Sequence, residues 1–383
     1  SVFSILIISK THEDFGYHYF SISEVFNHNL RIGVAKLNFY FIHSSLLTHN
    51  QSMLILPYFD FKLVHITPFL IYFSTLGYFI TNLFSKKINK NEIFYSILCL
   101  FILLIKFNRL SEYGYDYISQ FILLIVFHKI YFLNSENSEV VKSILYFTFT
   151  VLIKPISLLF LPIMLFIIYK KGLFFYRSVP QSRYFLIFSL LIILFSSSFF
   201  KTGCLFYPLN KTCFSVDSIS WSEKDRVEKY SETVTLWAKG FWKQDDTKYE
   251  KFDDEKIFNQ NYNWLNSWID NHFFYKVFEF LLIVTGSIIL IYFSFTKGDS
   301  IYNRGSKDKL VMLLLSFSSI IFWFNTVPQF RFGFSSIIIF IYLFFDYIFN
   351  LYIHFNKQKF FYLLIFGLLV LNLKNIDRIN SEF

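Results

Sequence analysis

Nine apolar blocks dominate this chain: residues 66–84, 93–107, 118–133, 143–169, 184–200, 277–295, 310–327, 332–349 and 360–373. They lack the 3.6-residue or two-residue alternation of a half-buried element. Several are long enough to cross the hydrocarbon layer of a bilayer. A soluble chain carries roughly 25% charged residues. This one carries 16%, with 54% hydrophobic residues and 55 phenylalanines among its 383 positions. The fold class that follows is all-α, a polytopic transmembrane helical bundle whose apolar surface faces lipid and neighbouring helices.

A membrane also accounts for the net charge of +9. In a soluble protein that excess would point to nucleic acid. Here it follows from the positive-inside rule, so no nucleic-acid partner is expected, and lipid phosphates can use part of the charge. Fourteen lysines and arginines fall in the loops after residues 84, 133, 169, 295 and 349. The short loops of the other side hold four, Arg109, Arg331, Lys374 and Arg378. This split requires the block 143–169 to enter and leave on one side. Lys154-Pro155 and Pro162 interrupt that block, and proline removes a helix donor and kinks the chain. A broken pair of short helices is therefore expected there.

The organisation predicted is a single integral membrane domain over residues 1–383. Residues 1–9 read as a truncated first transmembrane helix, because the apolar run 2–8 is too short to span. Residues 10–65 form a first exported loop with amphipathic surface helices. Transmembrane helices occupy 66–200, with the broken helix at 143–169. A large exported loop, 201–275, precedes the C-terminal transmembrane helices of 276–373.

The exported segments concentrate unusual polar residues. The first loop opens with THEDFGYHYF, in which His12, Glu13 and Asp14 read either as a solvated turn or as carboxylates at the membrane boundary. Partial desolvation raises a carboxyl pKa and suits a general base, with Tyr17 and His18 beside it. The next exported loop holds Arg109, Glu112 and Asp116. These read as a local ion pair in a solvated turn, or as groups that orient an acceptor or a metal-bound diphosphate. Lys154 lies inside an apolar run, where a charge costs roughly 2.5–3.5 kcal/mol; it either snorkels to the surface or ligates a lipid phosphate. Arg331, in PQFRFG, is an interfacial anchor or a bidentate phosphate ligand. Cys204 and Cys213 lie on the exported side, where a structural disulfide competes with two free thiols. No CxxC or His-rich spacing is present, so a structural zinc site is not expected.

Together these features resemble the GT-C superfamily of membrane glycosyltransferases: an acidic pair in the first exported loop, a second acid in the next, and an Arg-aromatic motif in a late short loop. More closely, DFGYH, IGVAKLN, RLSEYGYD, the KP within a span, GCLFYP with TCF, and PQFRFG are similar to a family of bacterial multispanning proteins. That family has no assigned biochemical function and is linked to surface polysaccharide synthesis. The resemblance implies a GT-C-like bundle in the bacterial cytoplasmic membrane, multi-pass, with its active face outside. It implies sugar transfer from a polyprenyl-phosphate donor to a glycan, lipid or protein acceptor. Asp14 with Glu13 would take the first-loop role, Asp116 the second-loop role, and Arg331 the place near the carrier phosphate. Whether magnesium or manganese joins Asp14 and Asp116 stays open. The absence of a nucleotide-binding Gly-rich loop fits a lipid-linked donor. Two other readings remain: an oligosaccharide polymerase or ligase, and a polysaccharide or lipid flippase. A flippase would commonly show paired repeats, and the sequence shows none.

Overall fold

The computed structural model describes residues 18–28, 31–42, 45–57, 61–85, 90–106, 114–133, 137–172, 180–295, 307–349 and 357–382. The expected first-helix stub, Glu13, Asp14 and Tyr17, and in the second loop Arg109 and Glu112, lie outside the described residues.

Among the described residues the chain is helical and forms no strand beyond isolated bridges. Two short helices, α1 (Phe20–Asn27) and α2 (Leu46–Ser52), precede α3 (Ile66–Leu83), α4 (Lys90–Ile105), α5 (Asp116–Phe132) and α6 (Asn137–Ile153). A 3₁₀ segment, Pro155–Phe160, leads into α7 (Leu161–Lys171) and then α8 (Gln181–Thr202). The long polar loop holds α9 (Lys224–Lys239), α10 (Glu255–Asn259) and α11 (Leu265–Trp268). From α11 a π-helical stretch, Ile269–Phe278, continues into α12 (Glu279–Phe295). The chain ends with α13 (Lys307–Thr326), α14 (Phe330–Phe349) and α15 (Lys357–Glu382).

Five helical segments among the described residues are long and apolar enough to cross a membrane: Ile66–Leu83, Gln181–Thr202, Leu265–Phe293, Lys307–Thr326 and Phe330–Phe349. The blocks near 93–107 and 360–373 form shorter apolar helices, Asn91–Ile105 and Gln358–Val370. Several of these helices expose one apolar face. On α8, Phe185, Phe188, Ile192 and Phe195 stand exposed at helical spacing. A face of that size is a liability in water and is compatible with a helix that crosses a membrane.

The centre of the bundle is α5 packed on α14. Every residue of α5 from Asp116 to Ile130 is buried except Ile125. The two helices run parallel in a constant register. Asp116 meets Arg331, Gln120 meets Ser335 and Tyr131 meets Asp346, each pair 215 positions apart. Gln120 Oε1 accepts from both the amide and the hydroxyl of Ser335, at 3.1 and 2.6 Å. Between apolar helices in lipid, such bonds and close packing do the work that water exclusion does elsewhere. Rings supply much of the packing: Tyr95 lies 5.0 Å from Tyr342 and 5.1 Å from Phe127.

One end of this pair is closed by ion pairs. Asp346 accepts from Tyr131 at 2.7 Å and pairs with Lys309 at 2.8 Å. Glu139, at the start of α6, pairs with Lys129 near the end of α5 and with Lys142. His128 contacts Tyr78 at 2.8 Å and Glu92 at 3.2 Å. Since α6 starts beside the end of α5, it runs antiparallel and delivers Lys154 to the other end. The chain then turns through the 3₁₀ segment, and α7 brings Lys170 back to Asp308 at the start of α13.

Gln120→Leu leaves the Ser335 hydroxyl buried without its acceptor. It is expected to destabilise the protein by about 1–3 kcal/mol. Adding Ser335→Ala should recover part of that loss, because the two residues act as one unit. Thermal unfolding of the single and double variants in detergent micelles measures both effects; strict additivity would show that the bond does not couple the helices.

Candidate functional site

At the opposite end, three charged side chains converge. Asp116 opens α5, two positions before its apolar run, where a carboxylate favours the positive end of the helix dipole. Lys154 follows α6. Pro155 disfavours helical backbone at the residue before it, and Lys154 is extended, with φ −150° and ψ 116°. Ser157 steadies the break by donating its hydroxyl to the Thr150 carbonyl at 3.3 Å. Arg331 lies in the first turn of α14. The preceding loop is held by two indoles: Trp268 donates to the Pro328 carbonyl at 2.7 Å and Trp323 to the Gln329 carbonyl at 2.9 Å. Gly333 permits this clamp, since a Cβ there would lie 2.7 Å from the Trp323 ring.

The carboxylate bridges the two cations. Lys154 Nζ is 2.7 Å from Asp116 Oδ1, and Arg331 Nε is 3.1 Å from Asp116 Oδ2. Aromatic rings bracket the cations. The Lys154 ammonium lies 4.7 Å from the Tyr115 ring centroid, and the Arg331 guanidinium lies 5.1 Å from that of Trp237. Both geometries suit cation–π attraction. His18 packs edge-on to Tyr115 at 5.1 Å.

Burial alone would push the Asp116 carboxyl up. Lys154 and Arg331 outweigh it and hold the group at about 2. Burial pushes His18 down to about 3, with Lys154 and Arg331 adding to the effect and Asp116 opposing it. At neutral pH the cluster thus combines one carboxylate, two cations and a neutral imidazole, for a net charge of one positive.

That charge faces a cavity of about 1050 Å³ whose lining includes His18, Asp116, Lys154 and Arg331. Most of the remaining wall is apolar, including Leu158, Leu194, Phe322 and Val327. Tyr230 and Trp237 of α9, with Trp242, form the face toward the polar loop. The shape is a cationic head on an apolar chamber.

His18, Asp116, Lys154 and Arg331 therefore meet in one site, although they come from four distant parts of the sequence. A divalent cation at Asp116, a question the sequence leaves open, would meet two cations already on its oxygens. Among the described residues no three of His, Cys, Asp and Glu are grouped to hold a metal. The described residues do not fit a metal at Asp116. Cys204 and Cys213 are joined by a disulfide. Sequence reasoning missed Tyr115 and Trp237. Each is one aromatic among many, and only the fold brings them over the cations.

The linkage signs are the same for both titrating groups. Asp116 is depressed, so its stabilisation is complete above its ordinary value of 3.8 and is lost as pH falls toward 2. His18 is also depressed, so stability falls as pH drops from 6.5 toward 3, where the unfolded chain takes a proton that the fold refuses. His18→Gln should reduce the slope of the stability profile between pH 6.5 and 4, where the buried His49 and His272 also contribute, and leave the acid limb below 4 in place. Asp116→Asn, which leaves two buried cations facing each other, should cost about 3–5 kcal/mol at pH 7. Unfolding midpoints across pH for the two variants and the parent protein check these assignments.

No curated protein and no solved structure matches the chain. A family model does match, over residues 10–338, and it spans all four residues of the site. The chain belongs to the family described as a domain of unknown function, DUF8201.

Proposed function

We propose that this protein is a membrane glycosyltransferase of the GT-C type. It transfers a sugar from a polyprenyl-phosphate-linked donor to a glycan, lipid or protein acceptor. The reaction takes place at the outer face of a bacterial cytoplasmic membrane, in cell-surface glycan synthesis. One observation carries the reading: two cations stand at the head of an apolar cavity of about 1050 Å³. An amphiphile with an anionic head and an isoprenoid chain has the matching distribution of charge and apolar surface. The amphipathic helix α9 covers the head of the site and offers Trp237 as a ring surface for a sugar.

In this reaction the acceptor hydroxyl oxygen attacks the anomeric carbon while the bond from that carbon to the phosphate oxygen breaks. The bonding electrons leave on the phosphate, where Lys154 and Arg331 stabilise the charge. The acceptor proton passes to a carboxylate. Asp116 is a poor recipient, because both its oxygens are engaged and its pKa lies at about 2. That leaves Asp14, with Glu13 beside it, as the base. Asp14 precedes His18, which lines the site, by four positions in the sequence. In the sequence, Tyr17 precedes His18 directly, and Arg109 and Glu112 precede Asp116 by seven and four positions; a role for them toward the sugar or the acceptor is part of the same proposal.

Binding of a polyprenyl phosphate and of the matching uncharged polyprenol, measured in nanodiscs, tests the carrying observation. The phosphate should bind at least tenfold more tightly, and Lys154→Met should remove most of the difference. Equal binding of the two lipids would sink the reading. Asp14→Asn should abolish sugar transfer while leaving phosphate binding intact; unchanged transfer would remove Asp14 from the role of base.

A further inference from the structure

A second cavity, of about 270 Å³, lies apart from the first and shares none of its lining residues. Its wall is built from α1, α2, the segment between them and the end of α8. The segment is docked on α8 by the Gly33 amide, which donates to the Phe200 carbonyl at 2.7 Å. Gly33 has φ +70°, and a Cβ there would come within 2.8 Å of Trp221 Cβ. This turn therefore fixes the wall beside the last turn of α8.

Lys201, in that turn, is only 6% exposed and lines the cavity. Among the described residues its ammonium makes no hydrogen bond and no ion pair within 4.0 Å. Glu24, the carboxylate of the cavity, acts on Lys201 only from beyond ion-pair distance, while Arg31 lies 3.6 Å from one of its oxygens and His28 lies 3.7 Å from the other. Histidines aside, the wall thus carries two cations against one carboxylate. A buried ammonium without a partner is costly, and an anion in the cavity removes that cost. Burial, then the charge of Lys201, lowers His49 to about 4, so its imidazole is neutral and able to exchange hydrogen bonds. Thr48 and Ser21 add hydroxyls to the same wall.

We infer that this cavity binds a small hydroxylated carboxylate of sugar-acid size. The carboxylate meets Lys201 and Arg31, and the hydroxyls meet Thr48, His49 and Ser21. The net charge of one positive matches a monoanion. A phosphate monoester, at about −1.5 to −2 near pH 7, exceeds it and would face Glu24. At about 30 Å³ per water, the volume equals roughly nine water molecules, enough for one monosaccharide ring with its carboxylate. The inference is independent of the transferase reading, because it concerns a different cavity and uses different residues.

The test is calorimetric titration of the purified protein in nanodiscs with glucuronate, glucose and inorganic phosphate. Glucuronate should bind, and glucose and phosphate should bind at least tenfold more weakly. Lys201→Gln should weaken glucuronate binding at least tenfold, whereas Lys154→Met, in the other cavity, should leave it unchanged. If Lys201→Gln fails to fold, Arg31→Gln, at a half-exposed residue, takes its place and should weaken glucuronate several-fold. The inference is overturned if no glucuronate binding is detected, if glucose or phosphate binds as well as glucuronate, or if binding follows Lys154 rather than Lys201 or Arg31.

Discussion

The site depends on one carboxylate shared between two cations. Asp116 joins three parts of the bundle: the start of α5, the break after α6 and the start of α14. Without it, an ammonium and a guanidinium would face each other in a largely apolar chamber. With it, the cations are held at fixed positions while their outer sides still face the cavity. The constant register of α5 and α14 serves the same end. Gln120 with Ser335, and Tyr131 with Asp346, prevent the helices from sliding, so Arg331 stays opposite Asp116.

The two ends of the bundle handle charge differently, and the difference bears on function. At the far end, Asp346 gathers one cation and two neutral donors, Tyr131 and Asn91. Glu139 takes two lysines, but the Lys142 side chain is 37% exposed and shares its charge with solvent. Neither of the two cavities described above is lined by these groups. At the site end, the excess positive charge is directed into the large apolar cavity. Charges that only tie helices together need no such chamber. The arrangement at Asp116 suits the proposed binding of an anionic head group, with a counter-ion built in.

Much of the architecture is readable from residues. Apolar blocks reveal helices because lipid selects long runs, and Lys154-Pro155 reveals a break because proline forbids the continuing hydrogen bond. Isolated charges in apolar surroundings, Lys154 and Arg331, are conspicuous for the same energetic reason. What they pair with is less legible. Asp116 lies 38 positions from Lys154 and 215 from Arg331, and no local period encodes a contact between parallel helices at that separation. The role of Asp116 is misleading at the level of residue type: a loop carboxylate suggests acid–base or metal chemistry, while its two partners suppress both. Lys201 sits at the end of an apolar run and reads as the first residue of a polar loop, yet the docked first loop buries it. The aromatic partners Tyr115 and Trp237 are hidden by abundance, in a chain that is 23% aromatic.

The charge balance at Asp116 also has a catalytic logic in the proposed reaction. A sugar linked through a phosphodiester to its carrier bears one negative charge, and the site bears one positive charge. Ground-state binding is thus neutralised without a large surplus. As the anomeric bond breaks, the phosphate moves toward a monoester, which carries about −1.5 to −2 at neutral pH. The added charge develops beside Lys154 and Arg331, so their attraction grows along the reaction coordinate, and interactions of this kind lower the barrier. Were Asp116 neutral, the same cations would hold donor and product more tightly, the more highly charged product most of all, and its release would be opposed. Bound to Asp116, they are oriented in advance and their surplus is kept to a single unit. In this view the buried carboxylate sets the positive field in which phosphate leaves, and the first exported loop supplies the base.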